Sequence, residues 1–112
     1  MNIEYANKKV EKYFRDYSKM KKKLPEHWVQ TIKQYMDLLG ASDNFGIFLS
    51  LGLGKPEKLS GYKTPHYSLH ITGNVRLLLK LDADTNTITI CETVTVKGVD
   101  DYHGGKDNWY IS

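Results

Sequence analysis

Two short stretches of the chain carry side chains able to hold an anion or exchange a proton: Gly73-Asn74-Val75-Arg76 and Asp101-Tyr102-His103. The Arg76 guanidinium is a planar fork that can grip two phosphate oxygens and stays charged at any working pH. A histidine such as His103 has a reference pKa near ~6.5 and so can exchange a proton at neutral pH. Asp101 can orient that imidazole, and Tyr102 can stack on a base or donate a hydrogen bond. Each stretch also has a plainer reading. Arg76 would serve equally in an ion pair with an acid across a sheet, and Asp101 to His103 would serve as a polar turn ahead of Gly104 and Gly105. Other chemistries find little footing. His66 and His70 fall on one strand face, but four residues of strand span ~13 Å and cannot share one small ion. His27 has no partner at ligand spacing, no glycine-rich phosphate loop opens a helix, and no order of Ser, His and Asp suggests a nucleophile. No metal and no cofactor is expected. Cys91 sits in an alternating strand pattern with no activating neighbour and reads as a buried or half-buried structural thiol more than as a nucleophile.

The elements that must position these residues follow from the spacing of apolar side chains. At 112 residues the chain has room for a single domain with one modest core. After an alternating start at Asn2 to Tyr5, the residues Val10, Tyr13, Phe14, Tyr17, Met20 and Leu24 recur at helical steps. Trp28, Val29, Ile32, Tyr35, Met36 and Leu39 continue the period behind Pro25, ending near Gly40. The spacing predicts an antiparallel helix pair. From Asn44 to Lys63 the glycines and Pro56 break any period, which predicts mostly loop with room for one short apolar strand. His66 to Thr72, Val75 to Asp82 and Thr87 to Val96 then alternate as strands. Helices first and strands afterwards predict an α+β domain, two N-terminal helices on one face of a small antiparallel sheet.

Register decides which side chains share a face with Arg76. A two-residue loop at Gly73-Asn74 would set Ile71 across from Arg76 and Leu77 across from His70, mixing polar with apolar side chains on both faces. A three-residue loop, Gly73 to Val75, puts Tyr67, Leu69, Ile71, Leu77, Leu79 and Leu81 on one face. Ser68, His70, Thr72, Arg76, Leu78 and Lys80 then form the other, and this register is the expected one. Charge is unevenly spread: residues 1 to 63 hold twelve Lys/Arg and seven Asp/Glu, and the remainder holds four and six. That asymmetry suits a phosphate-bearing partner, although a solvated helix face would look the same. With one cysteine and no apolar stretch long enough for a signal peptide or a membrane span, the expected location is the cytoplasm.

Leu59-Ser60-Gly61, then Tyr67-Ser68-Leu69-His70-Ile71-Thr72-Gly73-Asn74-Val75-Arg76-Leu77, then Asp101-Tyr102-His103 resemble, in order and spacing, the HigB branch of the RelE toxin family. The opening Ile3-Glu4-Tyr5 and the two helices suit the same layout, so the resemblance covers nearly all of one domain, 1–112. It implies a RelE-like fold and ribosome-dependent cutting of messenger RNA without a metal, by attack of a ribose 2′-hydroxyl on the adjacent phosphate. Arg76 would then clamp the transition state and His103 act as acid or base, assisted by Asp101 and Tyr102. The resemblance also implies a toxin of a two-component system, held silent by a helix-turn-helix antitoxin through which alone it would touch operator DNA. Two departures stand out. Where the family often has a lysine this chain has Ser60, and a family histidine falls on Glu57; Lys58, Lys63 and Lys80 are the expected replacements, with His70 beside them as RNA contacts. The stretch from Arg76 to Asp101 is also long, and a tail from Lys106 to Ser112 follows, whose Trp109 and Tyr110 are expected to close over the core more than to stack on bases. Other readings of the same residues are a gyrase-poisoning toxin of the ParE kind and an RNA-binding RelE-fold module without catalysis.

Overall fold

The computed structural model describes residues 1–103 and 105–112, with the backbone alone at 107. Strand β1 (Asn2–Tyr5) leads into helix α1 (Lys8–Phe14), helix α2 (Tyr17–Lys21) and helix α3 (Glu26–Ala41). The single helix expected over Val10 to Leu24 is thus two. Asp16 takes an extended conformation at the break, and its carboxylate accepts from the Ser18 and Lys19 amides at 3.1 and 3.3 Å, capping a new helix. The apolar period survives because the break occupies about one turn, and Val10, Phe14, Met20 and Leu24 are all buried. Helix α3 buries Val29, Ile32, Tyr35, Met36 and Leu39 along one stripe, as expected.

The segment expected to be loop holds helix α4 (Phe45–Ser50) and the short strand β2 (Glu57–Leu59). Asn44 starts the helix by accepting from the Ile47 amide at 2.9 Å. Gly46 does not disrupt it: a Cβ there would lie 2.6 Å from the Thr89 carbonyl oxygen, so the glycine marks a close approach. Phe45 and Phe48, at one helical step, are fully buried.

Strands β3 (His66–Thr72) and β4 (Val75–Leu81) form the expected hairpin. Beyond it the expected strand from Thr87 is corrected. The Asp84 carboxylate accepts from the Asn86 amide at 2.8 Å and the Asp84 carbonyl from the Thr87 amide at 3.1 Å, winding the chain into a 3₁₀ turn at Ile88–Ile90. Strand β5 therefore starts at Thr93 and runs to His103, and strand β6 (Lys106–Ile111) returns along it. Asp101 to His103 lie within a strand, not a turn, and Gly104 lies outside the described residues.

The described residues make four α-helices and a six-stranded sheet, an α+β arrangement. The sheet is mixed, which corrects the antiparallel expectation: β1 pairs in parallel with β5 over Thr93 to Val96, while β4, β3 and β2 follow on the other side antiparallel. Strand β5 is long enough that β6 pairs beyond β1, over Val99 to His103. Leu69, Leu77, Leu79, Leu81, Val94, Val96 and Val99 join the buried helix residues in one core. Cys91 is buried in that core, its Sγ 3.1 Å from the Thr93 carbonyl oxygen.

Gly98 is the point where β5 cannot carry a side chain. Its φ is +144°, and a Cβ there would overlap the Ile111 carbonyl oxygen of β6. Gly98→Ala should therefore destabilise the fold by about 2–4 kcal/mol, from backbone strain plus overpacking against a carbonyl that the β-ladder holds in place. The urea midpoint measures it; an unchanged midpoint would contradict the close approach of β6.

Candidate functional site

The β3–β4 register sorts the side chains onto the expected faces by a different device. The turn is the two residues Gly73-Asn74, since Thr72 pairs with Val75, and a bulge between His70 and Thr72 shifts the remainder so that Leu69 pairs with Leu77 and His70 with Arg76. An extra residue in one strand changes facing as effectively as a longer loop. Gly73, at φ +50°, supplies the backbone conformation of the tight turn.

On the face away from the core, His70 and Arg76 sit directly opposite one another at the turn end of the hairpin. Together with Lys55, Glu57, Ser68, Gly73, Asn74 and Tyr102 they line a cleft of about 230 Å³. A second depression, lined by Glu57, Lys58, Ser60, Arg76 and Tyr102 among others, continues it, so the two form one groove. His70 is held at both backbone groups: its N–H donates to the Gly54 carbonyl at 2.7 Å and its carbonyl accepts from the Tyr35 hydroxyl at 2.6 Å. Lys55 enters the cleft from the left-handed region, φ 45°, the only such non-glycine residue among those described. A lysine held there stores about 1–3 kcal/mol of strain, the kind of cost seen where a side chain must be aimed.

Arg76 is engaged from below. Its Nε and Nη2 donate to the two carboxylate oxygens of Asp100, its direct neighbour on β5, at 3.1 and 3.3 Å. Asp100 has no exposed surface, and the Arg76 side chain keeps 17% of its own. The cross-sheet ion pair that the sequence left open is therefore present. The Tyr102 ring covers the guanidinium, 4.3 Å from Cζ to the ring centroid. Arg76 is thereby fixed as a rigid plane between a carboxylate and an aromatic ring, and its charge is offset locally by Asp100. Attraction for a phosphate in this groove depends correspondingly more on Lys55 and Lys58.

The other terminal residues turn away. Strand alternation sets Asp101 and His103 on the side opposite Arg76 and Tyr102. Asp101 accepts from the Tyr110 hydroxyl at 3.3 Å, and Tyr110 meets Trp28 of α3 edge-on at 5.3 Å. Desolvation pushes the Tyr110 phenol up, and the neighbouring Asp101 charge and hydrogen bond add to the shift. His103 is at the rim: its Nδ1 accepts from the Asn74 side chain at 2.8 Å, which leaves the proton on Nε2, 3.4 Å from Asp101 Oδ1. That contact is too oblique for a hydrogen bond, and the buried Oδ1 has no hydrogen-bond partner among the described residues. Asn74 is the link, since it lines the cleft, binds His103 and accepts the Tyr102 amide at 3.0 Å.

Of the expected basic replacements, Lys58 borders the groove, whereas Lys63 is exposed on the connection between β2 and β3 and lines neither depression. Lys80 stands across from His66, four residues and ~13 Å along the strand from Arg76. Tyr110 packs as expected, while Trp109 is 41% exposed. Sequence reasoning missed Lys55, Asn74 and Asp100 as site residues and saw Glu57 only as a departure. Asp100, an acid one residue ahead of Asp101 in an alternating stretch, was the readable signal; Lys55 required knowing where a glycine-rich segment would fold back.

His66 anchors the far end of this face. It is 5% exposed, donates from Nδ1 to the Thr64 carbonyl at 2.9 Å and is stacked under Tyr62 at 3.7 Å. Burial pushes its imidazole below the ordinary value; the Thr64 carbonyl opposes the shift, and Lys97 and Lys80 add to it. The unfolded chain then binds this proton more readily, so stability is complete above the ordinary histidine range and falls as pH drops through it, levelling off below the folded-state value. The melting temperature should show this fall as the pH drops through and below the ordinary histidine range and lose it in His66→Gln; an equal slope in both proteins would place the titration elsewhere.

No family model matches the chain, and neither a curated protein nor a solved structure resembles it closely enough to count as a match. No helix among the described residues is long and apolar enough to cross a membrane.

Proposed function

We propose that this chain is a RelE-fold endoribonuclease toxin of the HigB kind, acting on messenger RNA at the ribosome. One observation supports the reading above the rest: an open groove that gathers His70, Arg76, Tyr102, Lys55 and Glu57, with a second imidazole, His103, just beyond Asn74 at its rim. Metal-independent cutting of RNA needs a base for the 2′-proton, an acid for the leaving oxygen and fixed positive charge at the phosphate. An RNA strand crossing the hairpin tip would meet one imidazole on each side of Gly73-Asn74. One takes the proton from the 2′-hydroxyl as its oxygen bonds to phosphorus; the other donates a proton to the 5′-oxygen as its bond to phosphorus breaks, leaving a 2′,3′-cyclic phosphate. Arg76, stacked by Tyr102, with Lys55 and Lys58 holds the phosphate oxygens.

A cell that makes such a chain must silence it, so the reading includes a helix-turn-helix antitoxin that covers the Arg76 face, through which the pair would reach operator DNA, and a cytoplasmic site of action. Purified complex that cuts as fast as free toxin would contradict that covering. A second reading, an RNA-binding module without catalysis, is favoured by the Arg76–Asp100 pair, which occupies part of the guanidinium fork. Growth arrest on induction in a bacterium, with new 5′ ends inside translated messages, separates the two.

A further inference from the structure

Residues 40–54 and 81–96 contain no Lys or Arg, in a chain that has sixteen. The fold packs these two stretches against one another. The Phe45 amide donates to the Cys91 carbonyl at 2.8 Å, and Gly46 lets the backbone of Thr89 approach α4, so the helix and the 3₁₀ turn at Ile88–Ile90 form one fixed corner. Phe45 and Phe48 anchor the helix in the core, while Ile47 and Leu51, one helical turn apart, stand in solvent at 44% and 46% exposure. Ile90 is 65% exposed, more than any other large hydrophobic side chain described. Among the described residues the remaining exposed ones, Tyr62, Tyr102 and Trp109, are all aromatic, so the exposed aliphatic side chains gather at this corner. The acids of the same two stretches are Asp43, just ahead of α4, Asp82 and Asp84, ahead of the 3₁₀ turn, and Glu92, behind it; all are exposed. None of the four has a cationic side chain within ion-pair distance among the described residues. Glu4 and Glu57 are also unpaired, yet each shares its depression with cations, Lys8 and Arg15 in one case and Lys55 and Lys58 in the other. The N-terminal ammonium is held by the Gly40 and Ser42 carbonyls at 3.1 and 2.7 Å.

We propose that this corner docks a basic amphipathic helix of a protein partner, whose aliphatic stripe seats on Ile47, Leu51 and Ile90 and whose Lys or Arg side chains meet the four carboxylates. Exposed aliphatic side chains rimmed by charge are the mark of a protein contact, and the sign of the rim selects the partner. Nucleic acids and anionic membranes carry the same sign as this rim and are repelled. The corner is made of a helix and a 3₁₀ turn and offers no free strand edge, so a partner must dock by side chains. A helix with one apolar stripe and basic flanks presents the complementary pattern. A second copy of the chain fits poorly, because its lysine-rich helices α1 and α2 expose no large hydrophobic side chain. The partner is also distinct from the antitoxin proposed above, which covers the Arg76 face; none of these seven residues lines the groove. The docking surface does not depend on the nuclease reading.

The test is fluorescence anisotropy of a labelled peptide of about 18 residues, an amphipathic helix with leucine along one face and lysine on the rest, titrated with the full chain at about 50 and 200 mM salt. A scrambled peptide of the same composition and a peptide with glutamate in place of lysine serve as comparisons. Three variants are measured beside the wild type: Ile47→Ser with Leu51→Ser and Ile90→Ser; Asp43→Asn with Asp82→Asn and Glu92→Gln; and a charge-matched control, Glu4→Gln with Glu26→Gln and Glu57→Gln. All nine side chains are exposed, apart from partly exposed Glu4 if its strand is counted, and thermal melts establish folding. The wild type should bind the lysine helix about tenfold or more tighter than the scrambled peptide, and the serine variant should lose that preference. The Asn/Gln variant at the corner should bind more weakly and with less salt dependence, while the control keeps nearly the wild-type behaviour. Equal binding of the scrambled or the glutamate peptide, undiminished binding by the serine variant, equal losses in the two charge variants, or no binding at all would overturn the proposal. So would a wild-type dimer that the serine variant abolishes, since the corner would then belong to a second copy of the chain.

Discussion

Replacing Arg76 with alanine is expected to abolish RNA cutting and to destabilise the fold at the same time. The Asp100 carboxylate has no exposed surface, and removing the guanidinium fork leaves that charge buried without its cross-strand partner. Breaking such a pair from one side costs about 3–5 kcal/mol, which for a domain of this size lowers the melting temperature by roughly 10 °C or more. Loss of activity in Arg76→Ala alone would therefore prove little. The double variant Arg76→Leu with Asp100→Leu removes both charges together and should recover most of the stability, since replacing a buried pair with apolar groups is often close to neutral. If the guanidinium has a role beyond holding the strands, the double variant stays inactive although folded. A stable, fully active double variant would reduce Arg76 to a structural residue and leave the phosphate to the lysines.

The two histidines give the second large effect. His70→Ala and His103→Ala should each lower the cleavage rate by about 10²- to 10⁴-fold, the range associated with losing a positioned acid or base. Both side chains are outside the core, so the melting temperature should move little; His70 is held by its backbone, and that hold survives the substitution. An active His70→Ala beside an inactive His103→Ala would return the chemistry to the terminal Asp-Tyr-His stretch and make the cleft a binding surface only.

Much of the molecule was legible in the sequence where one rule acted alone. The stripe Val29, Ile32, Tyr35, Met36 and Leu39 and the strand His66 to Thr72 follow from periodicity, because one face is buried and the other is wet. The errors arise where a short polar side chain overrides the period. Asp16 splits a helix by capping the next one, and Asn44 starts a helix in a stretch that its glycines mark as loop. Asp84 turns Ile88 to Ile90 into a 3₁₀ coil despite their alternation. The parallel pairing of β1 with β5 is a contact across some ninety residues, which no local pattern carries. At the site, the facing of Arg76 was legible from the need to keep Leu69 and Leu77 in the core. The bulge that achieves it was not, since a bulge and a longer loop satisfy the same alternation. The separation of His103 from Arg76 was also hidden, because it follows from strand β5 running straight through residues that read as a turn.

Cutting of RNA in the groove between His70, Arg76 and the rim histidine His103 is the proposed activity. Its most direct test is a single-turnover assay on messenger RNA bound to translating ribosomes, with the wild type and the His70→Ala and His103→Ala variants, mapping the new 5′ ends and the chemical state of the 3′ ends. Cuts within the translated message that end in a 2′,3′-cyclic phosphate are expected, with losses of about 10²-fold or more in both folded variants. Wild-type protein that binds the message and leaves it intact would contradict the account.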